Sequence, residues 1–154
     1  MAIRVFASGL GTGYSPSASG TVGSAAALLL YWFIPGFSEP IPLLIASAVC
    51  LVIGIPASAM MEKHYGQDPS EVVIDEFVGM WLALVFLPKA YWIAVAAFFL
   101  FRFFDIIKIP PAKQFDNMKG GTGIMLDDVA AGIWANVLLQ GALFIEPLER
   151  ILLS

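Results

Sequence analysis

Charge is what this sequence has least of. Asp, Glu, Lys and Arg together make up 13% of its 154 residues, about half the roughly 25% usual in soluble domains. A globule of this length has too much surface to cover with so few charges. The surplus apolar surface must face something other than water, and lipid is the simplest answer. Cysteine is nearly absent as well. Cys50 stands alone in an apolar run, which excludes an intramolecular disulfide and leaves the thiol no neighbouring base; it is expected to be a buried structural residue. The single histidine, His64, lies in a polar stretch, so a His/Cys zinc cluster is excluded and a surface position is expected. No basic run exists, which argues against a nucleic-acid partner, and a formal net charge of −4 is too small to select any other. No obligate protein partner is inferred. A P-loop pattern is missing, as is the D-x-x-D-G motif of CDP-alcohol phosphotransferases. The apolar stretch Met1–Phe6 is too short for a signal peptide.

What the chain has in excess is apolar residues, at 59%. They fall into five segments: Thr21–Ile34, Ile41–Met60, Glu71–Leu87, Ala90–Ile107 and Asp127–Ile145. Pro35-Gly36, Pro88-Lys89 and Pro110-Pro111 punctuate them, and a glycine-rich turn over 120–123 precedes the last. The second segment has the length of a bilayer span and tolerates Pro56 as a membrane helix can. Other segments are shorter, so tilted, re-entrant or surface-packed helices are expected among them. The expected fold is a single all-α domain over 1–154, a helical integral membrane protein with about five apolar helices.

Charge placement orients this arrangement. If all five segments cross with the N-terminus inside, Arg4, Lys63, Arg102, Lys108, Lys113 and Lys119 fall on the inner side, and only Lys89 and Arg150 on the outer. Six against two obeys the positive-inside rule. Nine of the twelve carboxylates share that inner face: Glu62, Asp68, Glu71, Asp75, Glu76, Asp105, Asp116, Asp127 and Asp128. The chemistry is expected there.

Three motifs carry it. In Ile74-Asp75-Glu76-Phe77-Val78-Gly79, two carboxylates sit among large apolar residues, where burial is costly unless something pairs with them. Glu71 and Asp75 would share a helical face, with Gly79 leaving room for a ligand or another backbone. In Phe101–Lys108, Arg102, Asp105 and Lys108 form a polar stripe at i,i+3 spacing, either a self-contained salt-bridge ladder or part of a site. In Gly120–Gly132, Asp127 and Asp128 are paired at the mouth of an apolar helix; capping explains one aspartate well and two poorly. Five carboxylates gathered at one membrane face, Asp75, Glu76, Asp105, Asp127 and Asp128, would repel one another unless a cation joined them. An all-oxygen set suits Mg²⁺ or Mn²⁺. A fourth stretch, Gly9–Gly23, is rich in Gly, Ser and Thr and opens a helix, a weaker pointer to phosphate contacts.

In this order these motifs resemble the phosphatidylglycerophosphatase A family across about Gly9 to Gly141, most specifically in the block from Phe101 to Gly132. The chain departs from the family pattern in two places: Ser19 stands where a proline is usual, and the K-P-W-P segment reads Lys108-Ile109-Pro110-Pro111, without the tryptophan. The resemblance implies a bacterial inner-membrane enzyme with its active site facing the cytoplasm. It would hydrolyse phosphatidylglycerophosphate to phosphatidylglycerol and inorganic phosphate with one or two Mg²⁺. On this reading Asp75, Glu76 and Asp128 are the expected catalytic residues, all five carboxylates the metal ligands, and Ser15, Thr21, Arg102 and Lys108 the substrate-binding set. The phospholipid's tails would stay in the bilayer, so chain length is expected to matter little beyond partitioning.

Overall fold

A computed structural model describes residues 2–66 and 69–154. Asp68, assigned above to the carboxylate-rich face, lies outside them. The described residues form eight α-helices and no strand: α1 (Ala2–Ala7), α2 (Ser19–Phe33), α3 (Pro40–Tyr65), α4 (Ile74–Leu84), α5 (Tyr91–Ile107), α6 (Ala112–Asp116), α7 (Gly121–Leu143) and α8 (Glu146–Leu153). A single 3₁₀ turn, Thr12–Tyr14, sits between α1 and α2. All five apolar segments are helical. Two helices, α3 and α7, are long and apolar enough to cross a membrane by length and composition.

Local chemistry sets the boundaries. Pro40 opens α3 at a position where its missing N–H costs nothing, and Gly66, at φ 102°, closes it. Pro56 stands inside α3, which runs through it unbroken. Lys108 takes the left-handed conformation at the end of α5 (φ 52°), and Pro110-Pro111 then prevents continuation.

Two boundaries differ from expectation, and so does the burial of Cys50. The glycine turn begins α7, which starts at Gly121, so Asp127 and Asp128 lie in its second turn and cap nothing. The third segment is helical only from Ile74; Glu71 falls in a turn, and no shared face with Asp75 forms. The reason is tertiary: the Val73 N–H donates to Ala7 O at 3.0 Å, tying this stretch to the end of α1 rather than to a helical turn of its own. Cys50 is half-buried rather than fully enclosed, whereas His64 is exposed as expected, 3.0 Å from an Arg4 guanidinium nitrogen.

α7 is the hub, packing against α3, α4, α5 and α6. Its crossing with α4 is glycine against glycine. A Cβ at Gly132 would stand 2.3 Å from Gly79 O, and one at Gly79 would stand 2.8 Å from Asp128 O. Only hydrogen fits at these two positions, so the backbones touch and the carboxylates one turn before each glycine are carried together. α4 has 11 residues, roughly 16 Å of helix, and its last carbonyls end inside the bundle. Asn136 of α7 meets them, donating to Ala83 O at 3.1 Å and Val85 O at 2.7 Å, while Gln140 donates to the Asn136 side-chain oxygen at 2.6 Å.

Candidate active site

The helix N-termini of α2, α4 and α7 meet the C-terminus of α5 at one end of the bundle. Between them lies a cavity of about 410 Å³, lined by Asp75, Glu76, Arg102, Asp105, Lys108, Asp127 and Asp128, with Ala18 and the first residues of α2, Ser19 and Gly20, forming one wall. All five carboxylates singled out in the sequence reach this space despite their separation along the chain.

They are not equivalent. Asp105, Asp127 and Asp128 each present an oxygen within 4.8 Å of the other two, close enough to share a cation. Asp128 is 3% exposed, and its Oδ2 has no hydrogen-bond partner among the described residues. A buried carboxylate oxygen left unpaired is costly; a bound cation is the partner that a cluster of like charges most lacks. The hard-oxygen donor set fits Mg²⁺, and on these two observations the residues present suit the ion.

Glu76 is otherwise engaged. Arg102 Nη1 donates to both of its oxygens at 2.6 Å, and Ser24 Oγ donates to Oε2 at 2.9 Å. The same guanidinium reaches Asp105 Oδ2 at 2.9 Å, so Arg102 joins α4 to α5. The pair is crowded from the α2 side, where a Cβ at Gly20 would stand 2.1 Å from Glu76 Oε1. Asp75 lines the same cavity without joining that three-residue grouping, its Oδ1 accepting the Glu76 backbone N–H at 3.0 Å.

Lys108 lies one residue beyond α5, and the helical stripe is therefore not self-contained. Its ammonium donates to Asp127 Oδ2 at 2.8 Å and also to Asp116 on α6. Burial works against its charge, but the hydrogen bonds to Asp116 and Asp127 outweigh that and raise its pKa above the ordinary lysine range. It remains a cation at any physiological pH.

Ser15 and Thr21 are not brought to the cavity. The Ser15 hydroxyl turns back to Ser17 O at 3.0 Å, and Thr21 is exposed on α2. The neighbours that do reach the site are Ser19 on the wall and Ser24 on Glu76. Gly20 and Ser24 are spaced i,i+4 on one face of α2, a signal the sequence carried and a composition-based reading overlooked.

The family model for "Phosphatidylglycerophosphatase A" matches residues 5–143. The chain belongs to that family. Its relatives include the phosphatidylglycerophosphatase A proteins of Escherichia coli K12 and Haemophilus influenzae. The first is 40% identical over 135 residues, 84% of this chain and 77% of that protein. The second is 37% identical over 140 residues, 89% and 86% respectively. A Bacteroides thetaiotaomicron protein named "Putative phosphatidylinositol-3-phosphatase" is 41% identical over 142 residues, 87% of this chain and 89% of that one. No solved structure matches. Phosphatidylglycerophosphatase A proteins are phosphatases acting on phosphate monoesters, and the match spans every residue lining the cavity.

Proposed function

We propose that the protein is an integral membrane lipid phosphatase that hydrolyses phosphatidylglycerophosphate to phosphatidylglycerol and inorganic phosphate, with Mg²⁺ as its metal. The observation that carries this reading is the three-aspartate cluster with an unpaired buried oxygen, set beside two cations at one end of an apolar bundle. Asp105, Asp127 and Asp128 would hold the ion. When bound, it supplies Lewis acidity toward the phosphoryl oxygens. Arg102 and Lys108 line the same space and offset the charge of the phosphoryl group; Glu76 positions Arg102. Asp75, which lines the same cavity, would take the proton of an attacking water. The water oxygen bonds to phosphorus, the bond from phosphorus to the glycerol oxygen breaks, and that oxygen leaves with a proton as the free hydroxyl.

The membrane reading rests on α3 and α7 and on the exposed apolar side chains around the bundle, among them Ile41, Val52, Phe99 and Phe144. The cavity opens at the end that carries most of the basic residues, which supports a cytoplasmic site in a bacterial inner membrane. A cysteine placed at the exposed Lys113, in a Cys50→Ser background, should resist an impermeant thiol reagent in intact cells and react after lysis. Labelling before lysis would reverse the orientation.

The decisive assay measures phosphate release from phosphatidylglycerophosphate and from phosphatidylinositol 3-phosphate in detergent micelles, with EDTA and after Mg²⁺ is restored. Faster Mg²⁺-dependent release from the glycerol lipid is expected. Preference for the inositol lipid would move this chain toward the activity in its Bacteroides relative's name, and release undiminished by EDTA would remove the metal.

A further inference from the structure

Next to the polar cavity, α7 borders a second concavity of opposite character. A groove of about 460 Å³ lies between α6 and α7, with Pro111 and Phe115 on one wall and Leu126, Ile133, Trp134 and Val137 along the other; no charged residue lines it. The indole N–H of Trp134 is already satisfied by Pro110 O at 3.0 Å, so the groove asks nothing of water.

Its placement says what fills it. The groove begins where the cavity ends: Leu126 directly precedes Asp127, and Lys108, on the cavity wall, is ion-paired to Asp116, next to Phe115. From Leu126 to Val137 it follows roughly 16 Å of helix, about half of a hydrocarbon core of some 30 Å. That is the depth of one leaflet, measured from the level of the phosphate site. We infer that the groove seats one acyl chain of the lipid whose phosphate occupies the cavity, so that the protein reads chain length as well as headgroup. The inference rests on the lipid-phosphatase reading and departs from the expectation that tails matter only for partitioning.

The test fills the far end of the groove. Val137 is 55% exposed, so Val137→Trp can occupy the groove without repacking the core. In mixed micelles at matched surface concentration, kcat/KM for dipalmitoyl phosphatidylglycerophosphate should fall about tenfold, mostly through KM, while that for the dihexanoyl lipid should stay within about twofold. Ile133→Trp, nearer the cavity, should lower both. If Val137→Trp leaves both substrates unchanged, the groove holds bulk lipid or a protein partner; if both fall by one factor, the helix has been distorted. Either result overturns the inference. A second readout needs no turnover. Trp134 fluorescence, taken as the difference between the wild type and Trp134→Phe, should be quenched by chain-brominated phosphatidylglycerophosphate at a lower mole fraction than by brominated phosphatidylcholine. Equal quenching overturns the groove assignment even in an active enzyme, whereas preferential quenching without phosphate release would fault the reaction and leave the groove standing.

Discussion

Helices α3 and α7 satisfy the same criteria of length and apolar composition, yet they meet different surroundings. Only 28% of the most apolar window of α3 is buried, against 61% of that of α7. The buried positions of α3 are mostly small, among them Ser47, Gly54, Ala57 and Ser58, while Ile41, Ile45, Val52 and Ile53 point outward. α7 buries Asp127, Asp128, Gly132 and Asn136, and exposes Ile133, Val137 and Leu138. In both helices the small and polar residues gather on the side that touches protein, joined there by Leu43 and Met61 of α3 and by Ile124, Met125 and Leu139 of α7, while the outside is almost wholly large and apolar. This inverts the pattern of a water-soluble helix and matches what lipid demands. α7 differs from α3 in carrying two carboxylates, Asp127 and Asp128, to the cavity on that inner side.

The largest effect expected from this contrast is on chemistry. Asp128→Asn keeps the size of the side chain and removes its charge; kcat should fall on the order of a thousandfold, about 4 kcal/mol, with helix content by circular dichroism unchanged. Turnover near wild type at saturating Mg²⁺ would remove Asp128 from the site. Next comes the helix crossing. Gly132→Val drives a side chain into the α4 backbone and should cost about 1–3 kcal/mol, read as a lower melting temperature in detergent, with activity falling in parallel as Asp75 and Asp128 separate. A stable, active Gly132→Val protein would mean that α4 and α7 do not depend on close approach. The smallest effect belongs to the outer face of α3: Val52→Ala should change stability by no more than about 0.5 kcal/mol. A loss above 1 kcal/mol would show Val52 packed against protein, and the two helices would then be less different than they look.

The five apolar segments and the five carboxylates were legible in the sequence because hydropathy and buried charge are local signals. What was not legible came from contacts between segments. Gly121, Thr122 and Gly123 read as a turn on propensity, yet they open α7, and glycine stands at 121 because α3 lies so close that a Cβ there would be 1.8 Å from Ile55 O. The composition of the glycine-rich stretch points to Ser15 and Thr21, and no local rule reveals that α2 begins at Ser19 and turns Ser19 and Gly20 toward the site instead. The division of labour among the carboxylates was equally hidden: Glu76 is occupied by Arg102 and Ser24 only because α2, α4 and α5 converge.

Asn136 ties the shortness of α4 to the order in which the protein is built. α4 stops within the bundle, and the amide that receives its last carbonyls belongs to a helix synthesised some 50 residues later, the separations being 53 and 51 positions. Until α7 arrives, those carbonyls have no such partner; until α4 is in place, α7 carries Asp127, Asp128, Asn136 and Gln140 into lipid without theirs, which a bilayer strongly disfavours. α3 has no comparable debt. Expressed alone behind a leader segment, α3 should therefore enter a membrane efficiently and α7 poorly, and α7 should recover when the chain from α3 through α5 precedes it. Efficient entry of isolated α7 would dissolve the dependence. If α7 spans a membrane as proposed, the candidate site is completed in the same event that commits this helix to the bilayer, and no half-inserted form of the chain would carry a working centre.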